Sequence, residues 1–208
     1  MADITLLGPQ ASSYVRSARI VCAEKGVEHE LAPIAFGSDD HRALHPWAKV
    51  PVMRHGDVVL YETQAILRYV DAAFDGPSLV PTAPAAIGAM EQWISIHNCY
   101  LYPSAVVGYA FQYIFPKGEG GQPDRAAIEA ALPKLEHDLG VLDRALAGQP
   151  WLAGSFSLAD ILVAPVITTI APLPEGGRLV DRCANLRRWL TAMEQRPSAA
   201  LLQVPRPG

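Results

Sequence analysis

The chain has 208 residues, 50% of them hydrophobic and 18% charged, so it can form one large or two small folded domains and is too apolar to be disordered throughout. Its formal net charge of -4 gives no electrostatic reason to bind nucleic acid, and Pro, Gly or charged residues interrupt the apolar stretches too often for a membrane span. Residues 1–8 lack the basic region of a signal peptide and the 3 cysteines form no C-x-x-C motif, which predicts a cytoplasmic protein with buried thiols and no metal site.

Strand and helix signals alternate through the first part of the chain. Ile4–Leu7 is a short apolar run that predicts a buried strand, and either Ser12 or Ser13 then caps a helix that Gly26 ends. We predict further strands over 28–34, 51–53 and 58–60, the last two as a hairpin, a polar loop over 37–42 and a helix over 63–74. This β-α-β order followed by β-β-α indicates a small α/β layer in which the first two strands are parallel.

Pro- and Gly-rich clusters between residues 75 and 84 interrupt this pattern and indicate a linker. The predicted division is a first domain over 1–76, a linker over 77–84 and an all-helical second domain over 85–208. Helices are expected over 85–115, 124–147, 157–170 and 185–195, with strain near Pro103 and a bend at Pro133. A loop is expected over 118–123 and a loose tail over 204–208. Ser157 and Asp160 form a capping box, which stabilises a helix start by about 1 kcal/mol and needs no ligand.

The residues around the predicted hairpin indicate a binding site for a small peptide. Pro51 opens the first strand and holds Val50 extended, so that the Val50 backbone can pair with an extended ligand. The sequence leaves open whether Pro51 is cis. Glu62 and Thr63 follow the second strand at a helix start, where carboxylate groups are bound favourably. Together these residues predict a site for a peptide that carries an amine and carboxylates.

Ser12 and Ser13 lie between the first strand and the first helix, and ligands of an α/β layer gather at the carboxyl ends of strands. A hydroxyl at that place also lies at a helix N-terminus, which stabilises a developing anion. Helix capping is an equally good account of the pair, and one serine can serve each role. Neither residue indicates a serine hydrolase, because no G-x-S-x-G motif surrounds them.

The first long helix of the predicted second domain is unusually aromatic. Core packing is the simpler interpretation, and the alternative is an apolar cleft that faces the first domain and binds a ligand. The side chains that we assign to such a cleft are His97, Tyr102 and Tyr109. The 6 histidines show no helical metal-ligand spacing, and we expect most of the others at the surface.

A series of segments, in this order and spacing, resembles the cytosolic glutathione transferases over nearly the whole chain. The helix that starts at Ser12 and ends with Lys25-Gly26 is similar to that of the serine-type zeta, phi and theta classes. Lys49-Val50-Pro51 resembles the cis-proline element of the family, and Glu62-Thr63-Gln64-Ala65-Ile66 resembles its E-S-x-A-I motif. The remaining segments are the capping box after Gly154 and the final helix from Asn185 to Pro197.

The resemblance implies a thioredoxin-like first domain, an all-helical second domain, a homodimer and a glutathione site. The Val50 backbone would pair with the cysteinyl part of glutathione, and Glu62 and Thr63 would hold its γ-glutamyl end. Ser12, with Ser13 as the near alternative, would donate a hydrogen bond to the sulfur. Glutathione is then a co-substrate, and no metal is required.

Several departures from the family pattern bear on function. The loop over 37–45 is short, so only His41 and Lys49 are candidates for holding the glycyl carboxylate. Thr63 replaces the usual Ser, and Tyr14 stands where the zeta-like pattern often has Cys, which argues against zeta-type isomerisation. The expected function is the transfer of glutathione to a small hydrophobic electrophile in detoxification. The alternatives are a glutathione-dependent isomerase of the maleylacetoacetate or maleylpyruvate type, a dehalogenase, and a non-catalytic glutathione-transferase-like binding protein.

Overall fold

The computed structural model describes residues 3–203, and the chain divides into two compact units. The first unit runs to Val80 and also contains the chain from Glu194 onward, whereas the second unit runs from Pro81 to Met193. The predicted division assigns the whole of 85–208 to one domain, so the return of the C-terminal segment to the first unit is a new feature. The predicted loose tail over 204–208 lies outside the described residues. No helix within 3–203 is long and apolar enough to cross a membrane.

A mixed four-stranded sheet forms the centre of the first unit. Its order is β2-β1-β3-β4, where the strands are β1 (Ile4–Leu7), β2 (His29–Ala32), β3 (Val52–His55) and β4 (Val58–Tyr61). β1 and β2 are parallel, as the crossover helix between them requires, and β3 is antiparallel to both β1 and β4. The predicted topology of this layer is therefore confirmed, with a second strand that is shorter than expected.

Three helices accompany the sheet: α1 (Ser13–Lys25), α2 (Asp39–Leu44) and α3 (Thr63–Ala73). α1 begins after the N-cap Ser12, ends at Gly26 with a φ of 68°, and packs against α3. α2 occupies the region predicted as a polar loop. Ser38 caps it by accepting the His41 backbone N–H at 3.1 Å, so the polar residues of this region serve as a cap and a first turn.

The C-terminal segment of the first unit packs along α1. The buried Glu24 carboxylate accepts hydrogen bonds from Arg196 Nη2 and Ser198 Oγ, each at 2.6 Å. Nearer the start of α1, Arg16 Nη1 donates to the Leu202 backbone carbonyl at 2.8 Å, and burial lowers the pKa of Arg16 to about 10. Two charged side chains of α1 therefore hold this segment.

The second unit is helical. α4 (Pro84–Ile96) continues through π-helical stretches over His97–Leu101 and Pro103–Ala110 into α5 (Phe111–Ile114). The change of hydrogen-bonding pattern lies beside Pro103, which lacks a backbone N–H, so the predicted disturbance there is confirmed. The remaining helices are α6 (Arg125–Ala145), α7 (Leu158–Ile170), α8 (Pro174–Asp181) and α9 (Ala184–Met193). The sequence did not indicate α8, because its glycine pair weakens the local helix signal.

A buried carboxylate organises the start of α7. Asp160 accepts hydrogen bonds from the Ser157 backbone N–H at 3.0 Å and from Trp189 Nε1 of α9 at 2.8 Å. The predicted capping box is confirmed, and its carboxylate also joins two helices. Burial raises the pKa of Asp160 to about 6, although the hydrogen bonds that it accepts oppose this shift.

The predicted burial of cysteines and exposure of histidines is only partly right. Cys22 is buried, but Cys99 is exposed and Cys183 is half-buried. His41 and His45 are buried because their rings pack edge to face, at 6.4 Å between centroids, and His45 lies 4.6 Å from the Tyr61 ring. Aromatic packing of this kind gives no local signal in the sequence.

Candidate active site

The segments that carry the predicted site residues lie at one end of the sheet, where β1 and β4 finish and β3 begins. Leu7 of β1 is paired with Val52 of β3, and Val52 is paired in turn with Tyr61 of β4. The chain after Leu7, the chain before Val52 and the chain after Tyr61 therefore lie side by side. These three segments contain Ser12, Val50–Pro51 and Glu62–Thr63.

Gly8 allows the Val50 segment to approach α1 closely. A Cβ atom at Gly8 would lie 2.7 Å from Val15 Cγ2 and 3.1 Å from Val50 Cβ. Its φ of 144° is also a conformation that residues with a side chain rarely adopt. Only glycine therefore lets the first turn of α1 and the Val50 segment meet at this point.

Ser12 and Ser13 have different environments at the start of α1. Ser12 is half-buried, and its Oγ accepts the Val15 backbone N–H at 3.4 Å. This bond uses an acceptor lone pair, so the hydroxyl hydrogen of Ser12 stays available for donation. Ser13 is buried, and its backbone carbonyl accepts the hydroxyl of Ser17 at 3.2 Å. Of the two serine side chains, that of Ser12 is the more accessible.

The Val50–Pro51 peptide bond is cis. Lys49, just before it, is exposed, whereas His41 is fully buried and bonded through both ring nitrogens. His41 Nδ1 accepts the Gly37 N–H at 3.2 Å, and Nε2 bonds to the Lys49 carbonyl at 2.9 Å. The hydrogen bonds of both ring nitrogens argue against the expected role of His41 as a ligand of the glycyl carboxylate. Lys49 stays a candidate for that contact.

Glu62 and Thr63 lie at the start of α3, as the sequence predicts. Glu62 is the exposed N-cap, and its side chain makes no capping hydrogen bond. Its φ of 70° is left-handed, which costs a residue with a side chain about 1–2 kcal/mol. Thr63 is the first helical residue and is buried. The Glu62 side chain therefore lies at a helix N-terminus without being used as the cap of that helix.

Two family models match the chain. The N-terminal domain of glutathione S-transferase matches residues 6–78, and the C-terminal domain of glutathione S-transferase matches residues 125–192. The chain belongs to the glutathione S-transferase family.

Individual glutathione S-transferases are similar over the whole length. Glutathione S-transferase 3 of Zea mays is 31% identical over 95% of this chain and 92% of its own. The structure of glutathione S-transferase III in apo form has a TM-score of 0.87 and 30% identity, covering 100% of this chain and 99% of that one. The glutathione-bound theta class enzyme of Xanthomonas axonopodis pv. citri has a TM-score of 0.84 and 29% identity, covering 99% of this chain and of that one. These similarities confirm the thioredoxin-like first domain, the helical second domain and the transferase class.

In this glutathione S-transferase, the residues predicted to bind the electrophile have different environments within the second unit. Tyr109 is fully buried; its hydroxyl donates to Glu175 Oε2 at 3.0 Å and accepts the Gly176 N–H at 2.8 Å. Tyr109 is therefore a core residue and is not available to a substrate. His97 is also buried, which lowers its pKa to about 3, whereas Tyr102 keeps part of its surface exposed.

The partner of Tyr109 explains why this tyrosine lies in the core. Burial alone would raise the pKa of Glu175, but hydrogen bonds from Tyr113, Arg125, a backbone N–H and Tyr109 outweigh it and lower the pKa to about 2. Arg125 Nη2 lies 2.8 Å from Glu175 Oε1. Core packing, the simpler interpretation of the aromatic helix, is thus right for Tyr109.

An apolar cavity of about 310 Å³ lies within the second unit, between α4 and its π-helical extension on one side and α6 on the other. Trp93, Tyr100 and Val141 line it, together with Lys134 and Asp138, which form an ion pair 3.1 Å long. The cavity is large enough for a small organic molecule. The residues predicted to bind the electrophile do not line it.

Sequence reasoning missed two contacts around the candidate site of this transferase. Gly8-Pro9 signals a turn, but no local pattern shows that Val50 packs on Gly8. His41 supports the backbone before Val50, a contact that depends on the unpredicted helix α2. No group of three or more His, Cys, Asp or Glu side chains within 3–203 is placed to hold a metal.

Proposed function

We propose that this chain activates glutathione as a thiolate for attack on a small hydrophobic electrophile. The sheet register carries the proposal, because it brings the segments of Ser12, Val50–Pro51 and Glu62 together at one end of the sheet. These residues offer a hydroxyl at a helix N-terminus, an extended backbone and a carboxylate. A tripeptide with a central thiol and a terminal ammonium group needs these three kinds of contact. The glutathione bound to the similar Xanthomonas enzyme supports the choice of ligand.

We assign Ser12 to the sulfur of glutathione. A free thiol has a pKa of about 8.5, so only a few per cent is ionised at pH 7. A hydroxyl that donates to the sulfur favours the thiolate, and the N-terminus of α1 adds to this effect. Lowering the thiol pKa by about two units would increase the thiolate fraction more than tenfold. The accessibility of Ser12 and its uncommitted hydroxyl hydrogen favour it over the buried Ser13.

Glu62 and Thr63 hold the γ-glutamyl end of glutathione in this proposal. The ammonium group pairs with the exposed Glu62 carboxylate, and the carboxylate meets the N-terminus of α3. The left-handed φ of Glu62 supports a binding role, because strained residues concentrate at functional sites. The exposed Lys49 ammonium is the group that we assign to the glycyl carboxylate.

The electrophile is bound by the second unit in this account, with Tyr102 as the remaining candidate residue. We infer a homodimer, which the exposure of Trp47 (67%) and Phe36 (61%) on the first unit supports. A second copy of the chain would cover these aromatic side chains. A role in detoxification in the cytoplasm follows from the same proposal, and the free cysteines support a reducing compartment.

Separate alanine substitutions of the two serines test this function. Ser12→Ala should reduce turnover of an activated aryl chloride at least about tenfold while glutathione affinity changes less than about threefold, because the lost hydrogen bond acts on the thiolate. Turnover is followed spectroscopically and affinity by calorimetry. Ser12→Gly controls for the lost helix cap, since glycine at an N-cap costs only a few tenths of a kcal/mol, and its turnover should be equally low.

Three outcomes would count against this proposal. If Ser13→Ala loses turnover while Ser12→Ala keeps it, the hydroxyl assignment is wrong by one residue. If neither substitution lowers turnover, the serine mechanism itself is wrong. Absence of glutathione binding by the unmodified protein would reject the transferase proposal altogether.

A further inference from the structure

The side chain of one histidine, His41, cross-links the two ends of the segment that leads to Val50. The ring of His41 is 0% exposed and lies between the chain before α2 and the chain just before the cis-proline motif. Nδ1 accepts the Gly37 backbone N–H, so it carries no hydrogen in this tautomer. Nε2 must then carry the hydrogen and donate it to the Lys49 carbonyl at 2.9 Å. A single imidazole therefore joins Gly37 to Lys49.

Other contacts hold the His41 side chain and the chain that follows it. Phe36 packs edge to face on the His41 ring at 5.6 Å between centroids. The His41 carbonyl accepts the His45 N–H at 2.8 Å, and the His45 carbonyl accepts the Ala48 N–H at 2.7 Å. Ala48 has a left-handed φ of 49°, a conformation that an alanine keeps only where its surroundings hold it. The hydrogen bond from the His41 ring holds the chain at Lys49, the residue after Ala48.

We infer that His41 is a positioning residue for the cysteinyl part of glutathione. The Lys49 carbonyl and the Val50 N–H belong to one planar trans peptide group, in which the two point in opposite directions. Fixing the carbonyl on the buried His41 ring therefore fixes the direction of the Val50 N–H. This inference rests on the proposed function, in which the Val50 backbone pairs with glutathione. His41 acts through that peptide group and does not touch the ligand.

Replacing the ring tests this inference. His41→Phe keeps an aromatic ring but removes the ring's hydrogen bonds to Gly37 and Lys49. We expect its dissociation constant and KM for glutathione to rise about three- to tenfold, the effect of losing one hydrogen bond between the Val50 backbone and glutathione. The kcat at saturating glutathione should stay within about twofold of the unmodified value, since the thiol still meets Ser12. His41→Gln keeps a side-chain N–H donor and should recover most of the affinity.

A matched control separates positioning from general loss of stability. His55 Nδ1 forms a hydrogen bond of the same length, 2.9 Å, to the Tyr69 hydroxyl, at the far end of β3 from Val50. His55→Phe removes that bond and should leave the affinity for glutathione unchanged. Stability of each variant is followed by thermal unfolding.

If the unmodified protein binds glutathione and His41→Phe binds as tightly as His55→Phe, the positioning role is overturned. If the unmodified protein does not bind glutathione, the proposed function is wrong, and the positioning role that rests on it is wrong as well. Should His41→Phe not fold, His41→Asn decides in its place, because its shorter side chain does not reach Lys49. Unchanged affinity in His41→Asn would overturn the inference.

Discussion

At the scale of single residues, Gly8 shows how the absence of a side chain shapes the proposed site. It ends β1, and both the first turn of α1 and the Val50 segment lie against its Cα. Ser12 and Val50 approach the site from these two sides. The distance between the Ser12 hydroxyl and the Val50 backbone, which we propose to bind glutathione, therefore depends on the space that Gly8 leaves empty.

We predict that Gly8→Ala weakens both the fold and glutathione binding. The new methyl group would lie 2.7 Å from Val15 Cγ2, so α1 or the Val50 segment must move. Overpacking of this kind costs about 1–3 kcal/mol, which chemical denaturation would detect. Glutathione affinity, measured by calorimetry, should fall about tenfold or more because the start of α1 and the Val50 segment move apart.

Gly26→Ala is the matched control for Gly8→Ala. Gly26 lies at the other end of α1 with a φ of 68°, and a Cβ atom there meets nothing within 4 Å. This substitution should cost about 1 kcal/mol of stability through backbone strain alone and leave glutathione affinity unchanged. Equal affinity in the Gly8 and Gly26 variants would show that Gly8 does not set the geometry of the site.

At the scale of elements, α1 joins the site to the end of the chain. Its N-cap is Ser12, and its Glu24 and Arg16 side chains bind the C-terminal segment. The side chain of Glu24 is only 1% exposed and accepts charge-assisted bonds. The segment after α9 therefore stabilises the same helix that carries the proposed nucleophile-activating serine.

Glu24→Gln should lower the free energy of unfolding by about 1–3 kcal/mol, the usual worth of a hydrogen bond to a charged group. Urea unfolding measures this change, and Glu194→Gln provides the same substitution at an exposed position. The two variants should differ clearly in their urea midpoints. Identical midpoints would mean that the Glu24 contacts with Arg196 and Ser198 contribute nothing to stability.

The elements that the sequence predicts well are those with local signals. α1 has a serine cap and a glycine stop, and the β3–β4 hairpin has a Gly-Asp turn between two apolar runs. α2 was not predicted, because its acidic first turn has the same composition as a polar loop. α8 contains two adjacent glycines, which weaken its local helix signal although Pro174 suits the first position of a helix. Its packing in the second unit compensates for this weak signal.

At the scale of the whole molecule, contacts between distant residues were beyond the reach of the sequence. The order of motifs was sufficient to predict the family and its two-part architecture, which the matches over 6–78 and 125–192 confirm. The sequence did not show that the chain after Met193 returns to the first unit, or that Tyr109 donates to Glu175. Both depend on pairs of side chains that no periodic pattern connects.

The central claim is that the first unit binds glutathione and lowers the pKa of its thiol. A pH titration of the thiolate ultraviolet absorbance of glutathione bound to the unmodified protein tests it most directly. We predict a thiol pKa about two units below the free value of about 8.5, and a return towards that value in Ser12→Ala. A bound thiol that titrates with the pKa of free glutathione would contradict the account.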